Sequence, residues 1–234
     1  MKRFLIMGGI FGGCAVAFLL SYLYVSRPEA AQPNPSKGPP IDIAAVRAKA
    51  ERGDAQAQAQ LGDAYANGVG VTNNYPEAAK WYRLAADQTN AAGQYGLGQL
   101  YEAGRGVPKD MAQAVKLYRQ AAEEGLSGAQ YTLGFLYEAG RGLPVNQAEA
   151  AKWYLKAAEQ GDPLAQYDIG QRYELGVGVA VDKVEALKWF ILAAKQHQLD
   201  SVARRDKLKG TLTHAEIAEA EHRAESFSAK HPPS

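Results

Sequence analysis

The residues to weigh first for chemistry are four histidines, one cysteine and a recurring set of glutamates. His197, His214, His222 and His231 are scattered near the C-terminus, and none stands beside a second donor at metal-site spacing. His214 and His222 are eight residues apart, about two helical turns, too far to share one ion. Cys14 is the one cysteine, so no intrachain disulfide or cysteine-based metal site can form. Glu102, Glu138 and Glu174 recur every 36 residues and therefore follow a repeat, not a catalytic pair. Gly68/Gly70, Gly104/Gly106, Gly140/Gly142 and Gly176/Gly178 have the look of phosphate loops. They follow helical patterns, not strands, and lack the third glycine, so they are expected to be structural turns. No catalytic residue, cofactor or metal is expected.

What remains is a set suited to binding. Tyr95, Gln99 and Glu102 fall at i, i+4 and i+7, as do Tyr131, Phe135, Glu138 and Tyr167, Gln171, Glu174. That spacing places each triplet on one helix face. Such a ladder can stack on a ligand and accept its hydrogen bonds. The competing expectation is that the tyrosines pack between repeats. Phe135 is the sharper candidate, because Asp63, Gln99 and Gln171 stand in its column.

The elements that position these residues are read from self-similarity. Gly62, Gly98, Gly134 and Gly170 are 36 residues apart, each preceded by Leu61, Leu97, Leu133 or Ile169. Tyr65, Tyr101, Tyr137 and Tyr173 follow three residues later. Trp81, Leu117, Trp153 and Trp189 share a column, followed by Tyr82, Tyr118, Tyr154 and Phe190 and then by Ala-Ala pairs. The first Gly of each Gly-x-Gly pair suits a left-handed helix end. Asn74, Asp110, Asn146 and Asp182 are N-cap residues, and Glu77, Gln113, Glu149 and Glu185 three positions on complete capping-box arrangements. The glycines of column 62 imply close approach of a neighbouring helix backbone. Gly125 and Gly161 end two second helices; Thr89 and His197 stand in their column.

These signals predict repeats at 54–89, 90–125, 126–161 and 162–197, after an N-terminal half-repeat at 41–53. Capping helices are expected at 198–227, with Thr213 and Glu216 as a capping box and Ile217, Ala220, Ala224 and Phe227 as the covering stripe. Residues 228–234 are expected to form a disordered tail.

Phe4 to Val25 is a run of 22 uncharged residues. As a helix it would span about 33 Å, enough to cross a bilayer core. Lys2 and Arg3 precede it, which places residues 1–3 in the cytoplasm and the rest outside. The alternative is a cleaved signal peptide on a secreted protein, but the run is long for one and offers no small-x-small site. Residues 26–40 carry Pro28, Pro33, Pro35, Pro39 and Pro40 and suit a semi-rigid spacer. After residue 27 the chain holds 23 basic and 25 acidic residues (26 − 3 and 25 − 0), too few positive charges for a nucleic-acid partner.

The stretch Ala129-Gln130-Tyr131-Thr132-Leu133-Gly134-Phe135-Leu136-Tyr137-Glu138-Ala139-Gly140-Arg141-Gly142, followed by Ala150-Ala151-Lys152-Trp153-Tyr154, resembles the Sel-one-like repeat (SLR) family, relatives of the tetratricopeptide repeat. The resemblance spans roughly 41–227. It implies an all-α fold, a right-handed α/α solenoid of four helix–turn–helix repeats, here preceded by one transmembrane helix. It also implies a first-helix face lining a concave groove, and adaptor or scaffold roles, often in the bacterial envelope. The function expected is therefore a scaffold in the bacterial inner membrane, single-pass, with a periplasmic repeat domain that docks an unknown protein or peptide. A glycan-binding accessory of a cell-wall enzyme, stacking sugar on Tyr131, Phe135 and Tyr167, is the alternative.

Overall fold

The computed structural model describes residues 42–230. The expected cytoplasmic residues 1–3, membrane span 4–25 and linker 26–40 lie outside the described residues, as do 231–234. Among the described residues no helix is long and apolar enough to cross a membrane.

Eleven α-helices and no strand occur among the described residues: α1 (Ile43–Glu51), α2 (Ala55–Asn67), α3 (Tyr75–Asp87), α4 (Ala91–Ala103), α5 (Met111–Glu123), α6 (Ser127–Ala139), α7 (Gln147–Glu159), α8 (Pro163–Leu175), α9 (Lys183–Lys195), α10 (Leu199–Lys209) and α11 (His214–Lys230). The helix pairs α2/α3, α4/α5, α6/α7 and α8/α9 are the four repeats. Each helix from α1 to α9 packs on the next in the chain, and α11 returns to cover α9.

Helix ends follow local chemistry. Gly68, Gly104, Gly140 and Gly176 end the first helices in the left-handed conformation at φ of 67–72°. The carboxamides and carboxylates of Asn74, Asp110, Asn146 and Asp182 accept from the N–H groups of Glu77, Gln113, Glu149 and Glu185 at 2.8–3.1 Å. The reciprocal half of the expected boxes does not form. The N-cap N–H groups instead donate to the Tyr65, Tyr101, Tyr137 and Tyr173 carbonyls of the preceding helix at 2.9–3.0 Å. With that donor taken, Glu77, Glu149 and Glu185 pair with Lys80, Lys152 and Lys188. A complete box forms only at Thr213 and Glu216, where no preceding tyrosine carbonyl competes.

Column 62 corrects a second expectation. A Cβ built at Gly98, Gly134 or Gly170 would fall 2.8–2.9 Å from the ring of Tyr118, Tyr154 or Phe190. The glycines make room for the aromatic ring of the same repeat, more than for a helix backbone. The second glycine of each loop abuts the start of the previous repeat's second helix. A Cβ at Gly106 would overlap the Tyr75 backbone, and one at Gly178 the Gln147 carbonyl.

A ladder of amides ties the repeats together. Gln58, Gln130 and Gln166 are buried and donate to the Ala50, Ala122 and Ala158 carbonyls at 3.1–3.2 Å. Their own oxygens accept from Gln88, Gln160 and Gln196 at 2.7–3.0 Å.

At the far end, Ala220 and Ala224 are fully buried, and Ile217 and Phe227 pack against the last core cluster. Phe227 meets Trp189 edge-on at 5.3 Å. This contact, and the bond from Ser228 Oγ to the Ala224 carbonyl at 2.9 Å, carry α11 to Lys230. Ser228–Lys230, expected in the tail, are thus helical.

Candidate binding faces

The recurring tyrosines do two things at once. Their rings lie on the second-helix aromatic of their own repeat: Tyr95 on Tyr118 at 5.5 Å, Tyr131 on Tyr154 at 5.4 Å, Tyr167 on Phe190 at 5.8 Å. Two of their hydroxyls reach the next first helix. Tyr95 meets Thr132 Oγ1 at 3.2 Å, and Tyr131 donates to Asp168 Oδ2 at 3.0 Å. The Tyr167 hydroxyl accepts from Gln171 at 2.6 Å and also meets Arg204, which occupies the same column as Thr132 and Asp168. All three tyrosines are half-buried; Tyr95 and Tyr131 are inter-repeat contacts, and Tyr167 meets the capping helix α10.

Glu102 and Glu138 are each engaged from two sides. Tyr118 donates to Glu102 Oε2 at 2.6 Å, and Tyr154 to Glu138 Oε2 at 2.7 Å. From the following repeat, Arg141 meets Glu102 Oε1 at 3.0 Å and Arg172 meets Glu138 Oε1 at 2.9 Å. In the first repeat Ala66 fills the glutamate column, and Tyr82 donates one turn earlier, to Asp63 at 2.7 Å. In the fourth, Phe190 offers no hydroxyl, and among the described residues Glu174 pairs with Arg204 alone, at 3.7 Å. Arg172 is 5% exposed, lies 4.9 Å from the Tyr154 ring centroid and donates to Gln147 Oε1 at 2.9 Å. A buried guanidinium needs this full complement of partners.

Electrostatics follow burial. Burial, reinforced by the neighbouring carboxylates, pushes the hydroxyls of Tyr118, Tyr131 and Tyr154 far above the ordinary phenol range, so they remain donors. Burial also pushes Asp168 up to about 7; the Tyr131 hydrogen bond opposes this, and Glu138 adds to it. These groups hold repeats in register and show no nucleophile–base pairing.

The sites expected from sequence are therefore unequal. Tyr95, Tyr131, Glu102 and Glu138 join repeats, and Tyr167 and Glu174 join the last repeat to the capping helix α10. Gln99 is exposed, while Phe135 and Gln171 are half-buried on the same face. Phe135 lies 6.0 Å from the Arg141 guanidinium. Two residues of that face escaped the sequence reading. Leu164 and Leu175 on α8 are 50% and 61% exposed and flank Gln171 at helical spacing. Their signal was a departure from column: Gln56, Ala92 and Gly128 stand with Leu164, and Asn67, Ala103 and Ala139 with Leu175.

The comparisons with known proteins agree with this architecture. The Sel1 repeat model matches residues 55–90, 91–126, 127–162 and 163–197. A Sel1 repeat protein from Oxalobacter formigenes is 32% identical, with a TM-score of 0.69 over 74% of this chain and 50% of its own. The c5321 protective antigen of uropathogenic Escherichia coli strains, which displays an SLR fold, is 29% identical, with a TM-score of 0.55 over 82% of this chain and 49% of its own. The chain thus spans about half the length of these two relatives. The immunity protein PA5088 from Pseudomonas aeruginosa, 19% identical with a TM-score of 0.50 over 100% of this chain and 90% of its own, shares the fold alone. A search of curated proteins found no match. Four family matches in register with four helix pairs make the chain a member of the Sel1 repeat family.

Proposed function

We propose that this protein is a membrane-anchored scaffold of the bacterial cell envelope that docks a protein or peptide on its first-helix face. Sel1 repeat proteins are protein-binding scaffolds and are generally not enzymes. The observation that carries the reading is the exposure of Leu164 and Leu175 on the face that also bears Phe135 and Gln171. The two leucines lie at helical spacing on one face, where a partner's apolar surface would cover them together. The glycan alternative relies on Tyr131 and Tyr167 as stacking platforms, and their rings are already engaged by Tyr154 and Phe190. The anchor rests on the uncharged run Phe4–Val25, and the periplasmic placement on Lys2 and Arg3 before it.

The docking test is cross-linking and capture from detergent extract with the full chain and a Leu164→Glu, Leu175→Glu variant. The variant is expected to lose its partners while melting as the parent does. Partners retained unchanged would remove the first-helix face from consideration. Protease treatment of spheroplasts tests the placement, with cleavage of the repeat domain as the expected result. Protection until the membrane is lysed would reverse the orientation.

A further inference from the structure

One repeat of the four lacks a tryptophan in the tryptophan column: Leu117 stands where Trp81, Trp153 and Trp189 stand in the others. Those three indoles are buried. Trp81 shares its core cluster with Ala50, Leu61 and Tyr65, and Trp153 shares its own with Ala122, Leu133 and Tyr137. The corresponding residues around Leu117 are Ala86, Leu97 and Tyr101. With Arg83, Lys116 and Leu117 they line an open cleft of about 260 Å³. The cleft is the tryptophan seat of the second repeat, which the smaller leucine fills only in part.

The cations beside the cleft differ from their counterparts in the other repeats. Arg47 donates to the Tyr65 hydroxyl at 2.6 Å, and Arg119 to that of Tyr137 at 3.1 Å. Arg83 holds the same position toward Tyr101, yet among the described residues it has no ion-pair or hydrogen-bond partner. Lys80 lies 5.4 Å from the Trp81 ring centroid and Lys188 lies 3.9 Å from that of Trp189. Lys116 precedes Leu117 as those lysines precede their tryptophans, and it too has no such partner among the described residues. Asp87 is the one acidic side chain lining the cleft. The indole N–H groups of Trp81, Trp153 and Trp189 have no acceptor. The seat therefore selects a flat ring by shape and does not require a donor on it.

We propose that the cleft between α3, α4 and α5 receives an aromatic side chain from a partner protein segment that carries an acidic residue beside it. The ring occupies the seat on Leu97 and Leu117, where Lys116 gains the ring face that Lys80 and Lys188 have. The neighbouring carboxylate meets Arg83. The cleft is smaller than the pockets of roughly 300–1,000 Å³ that enclose whole small molecules, and it is open on one side. That shape fits one side chain hung from a longer chain. The site belongs to a surface other than the first-helix face and does not depend on it.

The test uses the full chain in detergent and a fluorescent acetyl-Gly-Asp-Trp-Asp-Gly-amide peptide, with binding followed by anisotropy. Saturable, sub-millimolar binding is expected. Leu117→Trp fills the seat with the chain's own indole and should weaken binding by about 30-fold or more, as loss of a central anchor does. Its melting temperature should equal or exceed the parent's, because three repeats already carry that residue. Lys116→Gln should weaken binding by about threefold to fivefold. If Leu117→Trp lowers the melting temperature, Lys116→Gln decides, and an unchanged affinity there overturns the proposal. So does the absence of saturable binding by about 2 mM peptide. Equal binding by Leu117→Trp, or by the peptide with leucine in place of tryptophan, overturns it as well. Indole-3-acetate competing as tightly as the peptide would make the cleft a small-molecule site and likewise overturn it.

Discussion

Repeats 2 and 3 run almost residue for residue from Tyr95 and Tyr131 through their Gly-Arg-Gly loops, yet they are joined to their neighbours differently. Arg105 and Arg141 occupy one column. Arg141 pairs with Glu102 of the repeat before it, whereas Arg105 faces Ala66 in that column and turns to Tyr75 instead, 5.3 Å from its ring centroid. Tyr95 bonds Thr132, while the equivalent Tyr131 bonds a carboxylate, Asp168. Gln160 closes the amide ladder onto Gln130, but the Glu124 side chain has no N–H to offer Gln94, whose oxygen is left buried and, among the described residues, unpartnered. The tryptophan seat is filled in repeat 3 and open in repeat 2. The shared columns build each hairpin. The departures fall at the joints, where each residue answers to a neighbour 30 or more positions away.

The second loop glycines offer the largest test of this difference. Gly106 and Gly142 both sit at φ of 71°. A Cβ at Gly106 meets Tyr75 backbone, while one at Gly142 meets the flexible Met111 side chain. Gly106→Ala should cost about 3 kcal/mol or more in a urea melt, and Gly142→Ala about 1–2 kcal/mol. Equal losses would mean that backbone conformation alone governs both positions.

Next in size is the carboxylate at the joint of repeats 3 and 4. Asp168 titrates at about 7 in the folded protein, above the ordinary range near 4. A raised carboxyl binds its proton more tightly when folded. Stability is therefore full below the unfolded value and declines as pH rises from about 4 through 7. Asp168→Asn still accepts from Tyr131 and should gain about 1–2 kcal/mol at pH 8 with no change at pH 4. Thermal melts at the two pH values check this. A gain of the same size at both would assign the effect to packing.

Glu124→Gln should restore the missing rung onto Gln94 and stabilise by about 1 kcal/mol. The reverse change, Gln160→Glu, should lose a similar amount in repeat 3. If neither moves the melt, the ladder does not couple the repeats. The smallest effect concerns the second-helix ends. Thr89 and His197 adopt φ of 59° and 63°, in the column where Gly125 and Gly161 sit at 89° and 90°. Thr89→Gly should gain about 0.5–1 kcal/mol by releasing a β-branched residue from the left-handed region. Gly125→Thr in repeat 2 should show the opposite sign.

Part of the candidate site was legible from spacing. The face bearing Gln99, Phe135 and Gln171 followed from helical period. The roles of Tyr95, Tyr131 and Tyr167 stood open between ligand contact and packing, because a period names a face and not the group opposite it. Leu164 and Leu175 were visible only as departures from their columns. Helix positions, the left-handed glycine ends and the N-caps were fixed by residues within four positions of one another, which is the range over which an isolated helix is decided. What fills column 62, why the capping boxes close on one side only, which arginine meets which glutamate, and where the tryptophan seat lies open all depend on partners 9–39 positions away. Sequence determined the repeat because its signals are local. Only the stacked structure decided the joints, because each pairing there is a competition among groups that stacking alone brings together.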